Sequence, residues 1–289
     1  WRRGWHPERI AEKASDDVLL VVGAGPAGLE CARALGQRGY RVLLAEAEHA
    51  LGGRVLGAAS LPGLSTWIRV RDYREQQIRK MANVEIYPAS HLAVDDIFGF
   101  DVPHIVLATG SDWRRDGVGQ ARLAPVSGWD SAHVFSPQQV IAGAPLQGPV
   151  VIYDDDHFYL GGVLAEKLVA EVGKVTLLTP AAEASAWTFA TLELAKVQKR
   201  LLELGVCIVA QRTLSVIEDG KVETCCVHTG EIDTLDAASV VMLTERSPRD
   251  ALYEKLYARE SEWADAGIRS VTRVGDALAP GTIAHAVYS

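Results

Sequence analysis

The sequence lacks several features that would place it in particular classes of protein. No apolar run approaches the roughly 18 residues that a membrane-spanning helix needs. The formal net charge at pH 7 is -8, which disfavours a polyanionic partner such as a nucleic acid. We therefore expect neither a membrane nor a nucleic-acid partner. The composition, 48% hydrophobic and 23% charged, is that of an ordinary globular chain.

Cysteine is scarce, and its four copies show no Cys-x-x-Cys spacing. Cys225 and Cys226 are neighbours whose side chains would point to opposite faces of a strand, so we expect no metal site there. The sequence shows no secretory leader, and we expect reduced thiols and a cytoplasmic location. An initiator methionine is also lacking, since the chain opens at Trp1, and we expect a piece of a longer polypeptide.

A glycine-rich turn near the start is the most informative feature that is present. An apolar run, Val18 to Val22, is too short for a helix and rich in β-branched residues, so it predicts a buried strand. The turn follows as Gly23-Ala24-Gly25-Pro26-Ala27-Gly28, and good helix formers run from Leu29 to Gly39. A second predicted strand, Tyr40 to Ala45, ends on Glu46.

This order of strand, turn and helix predicts a dinucleotide site. Gly23 lets the chain turn sharply, Gly25 lets backbone N–H groups approach a pyrophosphate, and Gly28 lets the helix pack close to the strand. The N-terminus of the predicted helix favours an anion through its partial positive charge, and Pro26 and Ala27 of the turn join the candidate site. A purely structural turn is the alternative interpretation.

An acidic residue at the end of the second strand supports the nucleotide interpretation. Glu46 lies 18 residues beyond Gly28, near the distance at which an acid accepts hydrogen bonds from an adenosine ribose. Its charge also disfavours a 2′-phosphate. The neighbouring Ala47 joins the candidate site. Together with the glycine turn, Glu46 predicts the binding of an adenine nucleotide.

Later segments add further candidate residues. Gly53 suits close approach to a nucleotide and Arg54 would neutralise a phosphate, with an ordinary solvated loop as the alternative. Thr109 and Gly110 end another predicted strand in small residues that allow a ligand to approach the backbone. Asp276 closes a short strand late in the chain, and we expect it at the far end of the nucleotide.

A second strand and helix pattern, from about residue 149, repeats the order of the first but not its chemistry. In place of the glycine turn stand Asp154-Asp155-Asp156, three carboxylates that would repel a pyrophosphate. The next strand ends at Leu178-Thr179, without an acid for a ribose. We expect a domain that keeps a dinucleotide-binding shape without binding NAD(P)H. A metal there is disfavoured, because consecutive carboxylates on an extended loop point in different directions.

These patterns predict two α/β domains, the second inserted in the first. The first comprises residues 1–147 and 269–289 and binds the adenine nucleotide, and the second comprises 148–268. Two longer helices are predicted, at Trp67 to Met81 and at about Thr188 to Leu204. The first of them carries an arginine cluster, for which a solvated helix face is the simpler interpretation.

Together these residues resemble a known fold and a known family. The glycine turn, Glu46 with Gly52-Gly53, Ala108-Thr109-Gly110 and Gly275-Asp276 resemble the FAD/NAD(P)-linked reductases of the glutathione reductase type, which have two Rossmann-like domains. Three further segments are similar to the C-terminal region of the trimethylamine, dimethylamine and histamine dehydrogenases. They are Trp1-Arg2-Arg3-Gly4-Trp5-His6-Pro7-Glu8, Arg71-Asp72-Tyr73-Arg74-Glu75 and Ala258-Arg259-Glu260-Ser261-Glu262-Trp263.

The resemblance implies a division of labour within a longer oxidoreductase. In that family an N-terminal barrel carries covalently attached FMN and is followed by a 4Fe-4S cluster. In trimethylamine dehydrogenase the region that corresponds to this chain holds ADP where the adenine half of FAD would lie, and electrons pass on to an electron-transferring flavoprotein. The resemblance also implies a homodimer of the full-length protein. Since neither a barrel nor cluster cysteines occur here, we expect amine oxidation in a missing N-terminal part, and no catalytic residue or metal ligand in this chain.

Two other interpretations stay open. The chain is also similar to 2,4-dienoyl-CoA reductase, which implies an active FAD-dependent NAD(P)H oxidoreductase module, although the Asp154 to Asp156 run disfavours it. A docking module for a redox partner, through the arginine cluster near Arg69 to Arg74, is compatible with the first interpretation. ADP and FAD share the adenosine and the pyrophosphate, so the sequence predicts one or the other without distinguishing them.

Overall fold

The computed structural model describes residues 10–288, so the opening segment Trp1 to Glu8 lies outside the described residues. Strands and helices alternate along much of the chain, which confirms the predicted α/β class. The strands are β1 (Val18–Val22), β2 (Arg41–Ala45), β3 (Val84–Tyr87), β4 (His104–Leu107), β5 (Ser111–Trp113), β6 (Val134–Phe135), β7 (Val150–Asp154), β8 (Val175–Leu178), β9 (Cys207–Val209), β10 (Arg212–Glu218), β11 (Lys221–Cys226), β12 (Ile232–Asp236), β13 (Ser239–Leu243), β14 (Arg246–Pro248) and β15 (Ser270–Arg273). The helices are α1 (Pro26–Gln37), α2 (Arg54–Ala59), α3 (Arg69–Ile78), α4 (Val94–Phe98), α5 (Pro137–Ile141), α6 (Tyr159–Val172), α7 (Leu194–Glu203), α8 (Ala251–Tyr257) and α9 (Ile283–Tyr288).

The described residues divide into two compact units. Unit 1 is made of residues 10–56, Thr66–Ser111 and 248–288. Unit 2 is made of Gly57–Ser65 and Asp112–Ser247, so its larger part interrupts unit 1 in the sequence. Each unit has its own parallel sheet.

The boundaries of the units differ from the predicted positions 148 and 268. Residues 112–147 belong to unit 2 because they contribute β6, in which Val134 pairs in parallel with Val240 of β13. Residues 248–268 belong to unit 1, where Leu256 of α8 is fully buried in the core. Both arrangements join segments that are far apart in the sequence, so neither has a local sequence signal.

Unit 1 is built on a five-stranded parallel sheet in the order β15-β4-β1-β2-β3. Successive residues of β1 face opposite sides, as the two-residue period of a strand requires. Leu20 packs with Ile105 in one core cluster, and Val21 packs with Leu29 of α1 in another. Because β1 is covered on both faces, its sequence is an unbroken apolar run. β1 lies between β4 and β2, where the strand order reverses and such sheets bind ligands beyond their carboxyl ends.

Unit 2 contains a second five-stranded parallel sheet, in the order β6-β13-β7-β8-β9, and a three-stranded antiparallel sheet, β10-β11-β12. The strand β7 is buried along its whole length, and Tyr153 has no exposed surface. The strands β10 and β11 form a hairpin, in which Glu218 lies opposite Lys221 across the Asp219-Gly220 turn that such a hairpin favours. Unit 2 therefore repeats the parallel architecture of unit 1 and adds an antiparallel sheet.

Two helices differ from their predicted bounds. α3 covers Arg69–Ile78 instead of Trp67 to Met81, because a 3-10 turn, Ser65–Ile68, precedes it. α7 covers Leu194–Glu203 instead of Thr188 to Leu204. Leu192 has a left-handed φ of 62°, which separates α7 from the 3-10 turn before it. A left-handed residue cannot continue a right-handed helix, so the apolar periodicity alone placed the start too early.

The helices of residues 10–288 are short, since α6, the longest, has 14 residues. None of these helices is both long and apolar enough to cross a membrane. All four cysteines are free thiols. Burial raises the pKa of the Cys31 thiol to about 11, which keeps this cysteine in its unreactive protonated form at neutral pH.

Candidate functional site

The turn between β1 and α1 requires glycine at two positions for the fold itself. Gly23 has a φ of +101°, and a Cβ there would lie 2.5 Å from the main-chain oxygen of Ala108. Gly28 lies in the first turns of α1, and a Cβ there would overlap the carbonyl oxygen of Gly23. Any side chain at either position would displace backbone, with or without a ligand.

Gly25 is different, because the protein itself does not require glycine there. Its φ of -70° suits any residue, and a Cβ would have no protein atom within 4 Å. Gly25 is the N-cap of α1, where no side chain caps the helix and no acidic residue lies in the first turn. Pro26 and Ala27 follow as the first helical residues. Open space beside an uncapped helix start is the environment in which an anion binds.

Glu46, which follows β2, is only 9% exposed, and its carboxylate is hydrogen-bonded to this turn. Its Oε2 accepts a hydrogen bond from the N–H of Ala24 at 2.6 Å, and its Oε1 accepts one from the N–H of Glu48 at 2.9 Å. The carbonyl oxygen of Ala24 in turn accepts the N–H of Gly52 at 2.9 Å. A carboxylate offers about four lone-pair positions, so capacity remains for hydroxyl donors. The adjacent Ala47 is exposed.

The loop before α2 brings Gly53 and Arg54 to the same turn. Gly53 has a φ of +54°, and its Cβ position lies 3.1 Å from the Cα of Gly25. Arg54 forms an ion pair with Asp276, whose side chain is almost fully buried. The positive charge of the Arg54 guanidinium is therefore balanced by the carboxylate of Asp276.

Two further partners hold Asp276, and the sequence reasoning missed both. Its Oδ2 accepts the hydroxyl of Ser111 at 2.9 Å, and its Oδ1 accepts the N–H of Gly281 at 3.0 Å. Ser111 follows the candidate pair Thr109-Gly110 directly, so the end of β4 offered a signal for it. Gly281 contributes only its backbone N–H, and no residue pattern in the sequence predicts that contact.

Thr109 and Gly110 follow β4 at the carboxyl edge of the sheet. The hydroxyl of Thr109 donates to the carbonyl oxygen of Arg249 at 2.6 Å, so the protein itself engages this side chain. Gly110 has a φ of +80°, and its Cβ position has no atom within 4 Å. Beyond β15, the Cβ position of Gly275 lies 2.5 Å from the Cβ of Ala27, so the corner after β15 meets the start of α1.

A cavity of about 380 Å³ opens in unit 1 beside the loop that follows β2. Its lining includes His49, Leu51, Arg71, Arg79, Ile86 and Pro88. Both arginines are paired with Glu75, at 3.1 Å from Arg71 and 2.7 Å from Arg79. The cavity combines apolar and cationic walls and is large enough for a small ring system.

Protein atoms fill the corresponding turn of unit 2, between β7 and α6. The carboxylate of Asp154 is fully buried, and its Oδ1 accepts the N–H of Asp156 at 3.1 Å and of His157 at 3.0 Å. Its Oδ2 lies against Gly161, where a Cβ would overlap it. Gly161 thus makes room for an internal carboxylate, whereas Gly28 makes room for a main-chain oxygen.

Asp155 and His157 are buried beside Asp154, instead of lying on the extended loop that the sequence suggested. The Oδ2 of Asp155 accepts the N–H of Ala121 at 2.9 Å, and its Oδ1 lies 3.3 Å from the Nε2 of His157. Thr179 follows β8 and places its hydroxyl 3.4 Å from the Nδ1 of His157. Within residues 10–288, no three His, Cys, Asp or Glu side chains gather as metal ligands. Two N–H groups of this turn are therefore bonded to the internal carboxylate of Asp154.

Known proteins resemble this chain over most of its length. The model of the family described as pyridine nucleotide-disulphide oxidoreductase matches residues 17–268. Dimethylamine dehydrogenase of Hyphomicrobium sp. (strain x) is 36% identical over 314 residues, an alignment that covers 100% of this chain and 42% of that protein. Proteins of this family bind nucleotide cofactors of the FAD and NAD type.

Two solved structures are similar to the whole fold. Histamine dehydrogenase from Rhizobium sp. 4-9 has a TM-score of 0.94 at 48% identity, covering 99% of this chain and 44% of that chain. The 6-hydroxypseudooxynicotine amine oxidase HisD from Pseudomonas geniculata N1 has a TM-score of 0.93 at 40% identity, covering 99% and 42%. These matches confirm the resemblance to the amine dehydrogenases. The chain spans less than half the length of each of these relatives.

Proposed function

Since the chain belongs to the pyridine nucleotide-disulphide oxidoreductase family, we propose that unit 1 holds an adenine nucleotide, ADP or FAD, at the turn between β1 and α1. We propose further that the chain is the nucleotide-binding part of an iron-sulfur flavoprotein amine dehydrogenase. The similarity to dimethylamine dehydrogenase and histamine dehydrogenase supports this second statement.

The observation that carries the proposal is the glycine at position 25. Gly23 and Gly28 are explained by backbone contacts, but Gly25 has an ordinary φ and open space around its Cβ position. A residue that the fold does not require to be glycine is accounted for by a ligand that approaches its backbone. The uncapped start of α1 supports an anion as the approaching group.

The adenosine half would be held by residues on one side of this turn. The N–H groups of Ala27 and Gly28, at the start of α1, would face the pyrophosphate, while Pro26 fixes the backbone direction. Glu46 would accept hydrogen bonds from the ribose hydroxyls, and Ala47 would lie next to the sugar. The adenine ring would occupy the cavity beside the loop that follows β2.

The remaining candidates would face the phosphates and the opposite end of the nucleotide. Gly53 allows the second loop to approach closely, and Arg54 offers a cation to the phosphates while it stays paired with Asp276. Thr109, Gly110 and Asp276 would lie toward the far end. Each oxygen of Asp276 already has a protein partner, so its first role is to hold Arg54 and the end of β4 in place.

The redox chemistry is proposed to reside elsewhere in the polypeptide. An N-terminal barrel with FMN and a 4Fe-4S cluster would oxidise the amine and pass electrons to an electron-transferring flavoprotein, in a cytoplasmic homodimer. If unit 1 holds FAD, that nucleotide supplies redox chemistry, and if it holds ADP, it supplies none. The chain described here would then bind the nucleotide and contribute to assembly of the full-length protein, and it would not catalyse amine oxidation alone.

Unit 2 is proposed to keep a dinucleotide-binding shape without binding NAD(P)H. Asp154 bonds to the N–H groups of the loop that would otherwise face a phosphate. No acid follows β8 to hold a ribose, because Thr179 stands there. This proposal sets the chain apart from an active NAD(P)H oxidoreductase module.

Mass spectrometry of the nucleotide released on denaturation tests the proposal. Purified protein is denatured directly, and a second sample is first incubated with ADP and FAD and then desalted. ADP or FAD should be recovered in about equimolar amount from the incubated sample. Failure to recover either nucleotide contradicts the function of unit 1. A yellow chromophore that is bleached by NADH or NADPH contradicts the proposal for unit 2.

A further inference from the structure

Unit 2 contains a group of ionisable side chains that the proposed function does not use. Asp154 and Asp155 have no exposed surface, and His157 is 7% exposed. Within residues 10–288, no Lys or Arg side chain pairs with either carboxylate, and His157 is their one basic contact. The Oδ2 of Asp154 is buried without a hydrogen-bond partner. We call these three residues the acidic cluster.

Few other charges face the acidic cluster. Asp156, on the same loop, adds negative charge that acts on Asp154 and His157. Tyr153 of β7 lies near the carboxylates, and Arg122, from the segment before β6, acts on Tyr153. The cluster therefore has little positive charge to compensate a second ionised carboxylate.

Residues 185–193, which we call the cover segment, pack against the loop that carries the acidic cluster. The N–H of Trp187 donates to the carbonyl oxygen of His157 at 3.0 Å. The Trp187 ring meets Phe158 edge to face, with 4.9 Å between centroids. At the start of α6, the hydroxyl of Tyr159 lies 2.7 Å from the Oγ1 of Thr191 and also bonds to Glu193, the charged group that the cover segment brings near. The cover segment thus rests on residues 157–159.

The conformation of this loop depends on Asp154. His157 has a left-handed φ of 63°, which is uncommon for a residue other than glycine. The N–H groups of Asp156 and His157 both donate to Asp154, and these bonds help to hold the loop in that conformation. A change in the charge of the acidic cluster therefore affects the backbone of His157 and, through it, the hydrogen bond from Trp187.

We propose that the acidic cluster is a proton-dependent latch that holds the cover segment against the start of α6. With one proton on Asp154 and His157 fully protonated, the cluster contains one ion pair, between Asp155 and His157, and the segment is closed. Loss of the proton on Asp154 leaves a second buried carboxylate charge that His157 alone cannot balance, which is strongly unfavourable. The loop then gives up its conformation and releases the cover segment.

Shifts in two pKa values place the titration of the acidic cluster near neutral pH. Burial raises the pKa of Asp154 to about 7. Burial alone would lower the pKa of His157, but the bond to Asp155 and the neighbouring carboxylates outweigh it and raise that pKa. We therefore expect the latch to be closed in acid and to open as the pH rises through neutrality.

Hydrogen exchange of the whole chain, read by mass spectrometry for peptides of residues 185–193, tests the latch. Rates are measured from about pH 6 to about pH 9 and corrected for the intrinsic pH dependence of exchange. The opening constant of the wild type should rise about tenfold per pH unit above neutrality, as loss of one proton requires. Asp154→Asn, which stays neutral, should remain closed throughout. Asp156→Asn, a change of the same kind on the same loop, should keep the pH dependence of the wild type but shift it to lower pH, because the negative charge that acts on Asp154 and His157 is lost.

A wild type without pH dependence, or an Asp154→Asn profile parallel to it, overturns the latch. A second measurement needs no variant at Asp154. The difference in fluorescence between the wild type and Trp187→Phe isolates Trp187, whose ring lies 6.1 Å from that of His157. This signal should titrate near neutral pH and lose its titration in His157→Gln, and a constant signal contradicts the proposal. Both measurements concern unit 2 and do not depend on nucleotide binding by unit 1.

Discussion

The Oε2 atom of Glu46 accepts the main-chain N–H of Ala24 at 2.6 Å, so the acid at the end of β2 is bonded to the glycine turn that precedes α1. The bond fixes the carboxylate beside the proposed pyrophosphate position. It also explains why one carboxylate can serve both the fold and a ribose, since lone pairs remain after its two protein bonds.

Replacing Glu46 with alanine should weaken nucleotide binding. The ribose hydroxyls would lose a charged acceptor, which corresponds to about 1.5–3 kcal/mol, or roughly a 10- to 150-fold rise in the Kd for ADP. Titration calorimetry with ADP measures the change. Glu48→Ala is the matched control, because Glu48 is exposed and bonds to Glu46 only through its backbone. Equal affinities for Glu46→Ala and Glu48→Ala contradict the role of Glu46.

Replacing Gly28 with alanine should destabilise unit 1 even when no ligand is bound. The new Cβ would overlap the carbonyl oxygen of Gly23, which is backbone and cannot rotate away. Overpacking of this kind lowers the free energy of unfolding by about 1–3 kcal/mol. Denaturant unfolding of the ligand-free protein measures the loss. Gly25→Ala is the control and should change stability by less than about 0.5 kcal/mol, since its Cβ meets nothing.

Replacing Asp276 with asparagine should also destabilise unit 1. The single amide oxygen can still accept the N–H of Gly281 and the amide NH2 can donate to the hydroxyl of Ser111, but the side chain no longer balances the Arg54 guanidinium. Because Arg54 is partly exposed, we expect a loss of about 1.5–3 kcal/mol in the free energy of unfolding, as for a hydrogen bond to a charged group. Asp265→Asn, at an exposed position, should leave the unfolding midpoint unchanged. An Asp276→Asn protein as stable as Asp265→Asn would show that the pair contributes nothing.

The stability of unit 2 should fall as the pH rises from about 4 to about 7. Burial raises the pKa of Asp154 from 3.8 to about 7, so the folded state binds a proton that the unfolded state has already lost. The stabilisation is complete below the unfolded pKa and is lost as the pH rises through the folded one. Its slope is at most about 1.4 kcal/mol per pH unit.

Denaturant unfolding at several pH values, followed for wild type and Asp154→Asn, measures this effect. The variant has no proton to lose at position 154, so it should lack the contribution of Asp154 to the slope. It should also become more stable than the wild type at alkaline pH, where the wild type carries a buried charge. Identical slopes for the two proteins contradict the assignment of this proton to Asp154.

The parts of the fold with local signals could be predicted from the sequence. The apolar run of β1, the glycine turn after it and the hairpin between β10 and β11 each depend on neighbouring residues. The position of Glu46 directly after β2 could also be predicted, because the length of the intervening helix and strand is nearly fixed in such units. The predicted bounds of β1, Val18 to Val22, are those of the structure.

Features that depend on contacts between distant residues could not be predicted. Arg54 and Asp276 are separated by 222 positions, and each was proposed as a candidate without the other. Residues 112–147 joined unit 2 through the pairing of Val134 with Val240. The run from Asp154 to Asp156 suggested an exposed loop, since three carboxylates favour solvent. Burial of two of them depends on the N–H groups of His157 and Ala121, each of which donates to one carboxylate oxygen.

Binding of ADP to the wild type and to Gly25→Ala tests the central claim most directly. The claim is that position 25 is glycine because a phosphate approaches its backbone, and not because the fold requires it. We predict that the wild type binds one ADP per chain and that Gly25→Ala, equally stable, binds it about 100-fold more weakly, as expected when charged hydrogen bonds are lost. Equal affinity in the two proteins, or no binding of ADP or FAD by the wild type, would contradict the account.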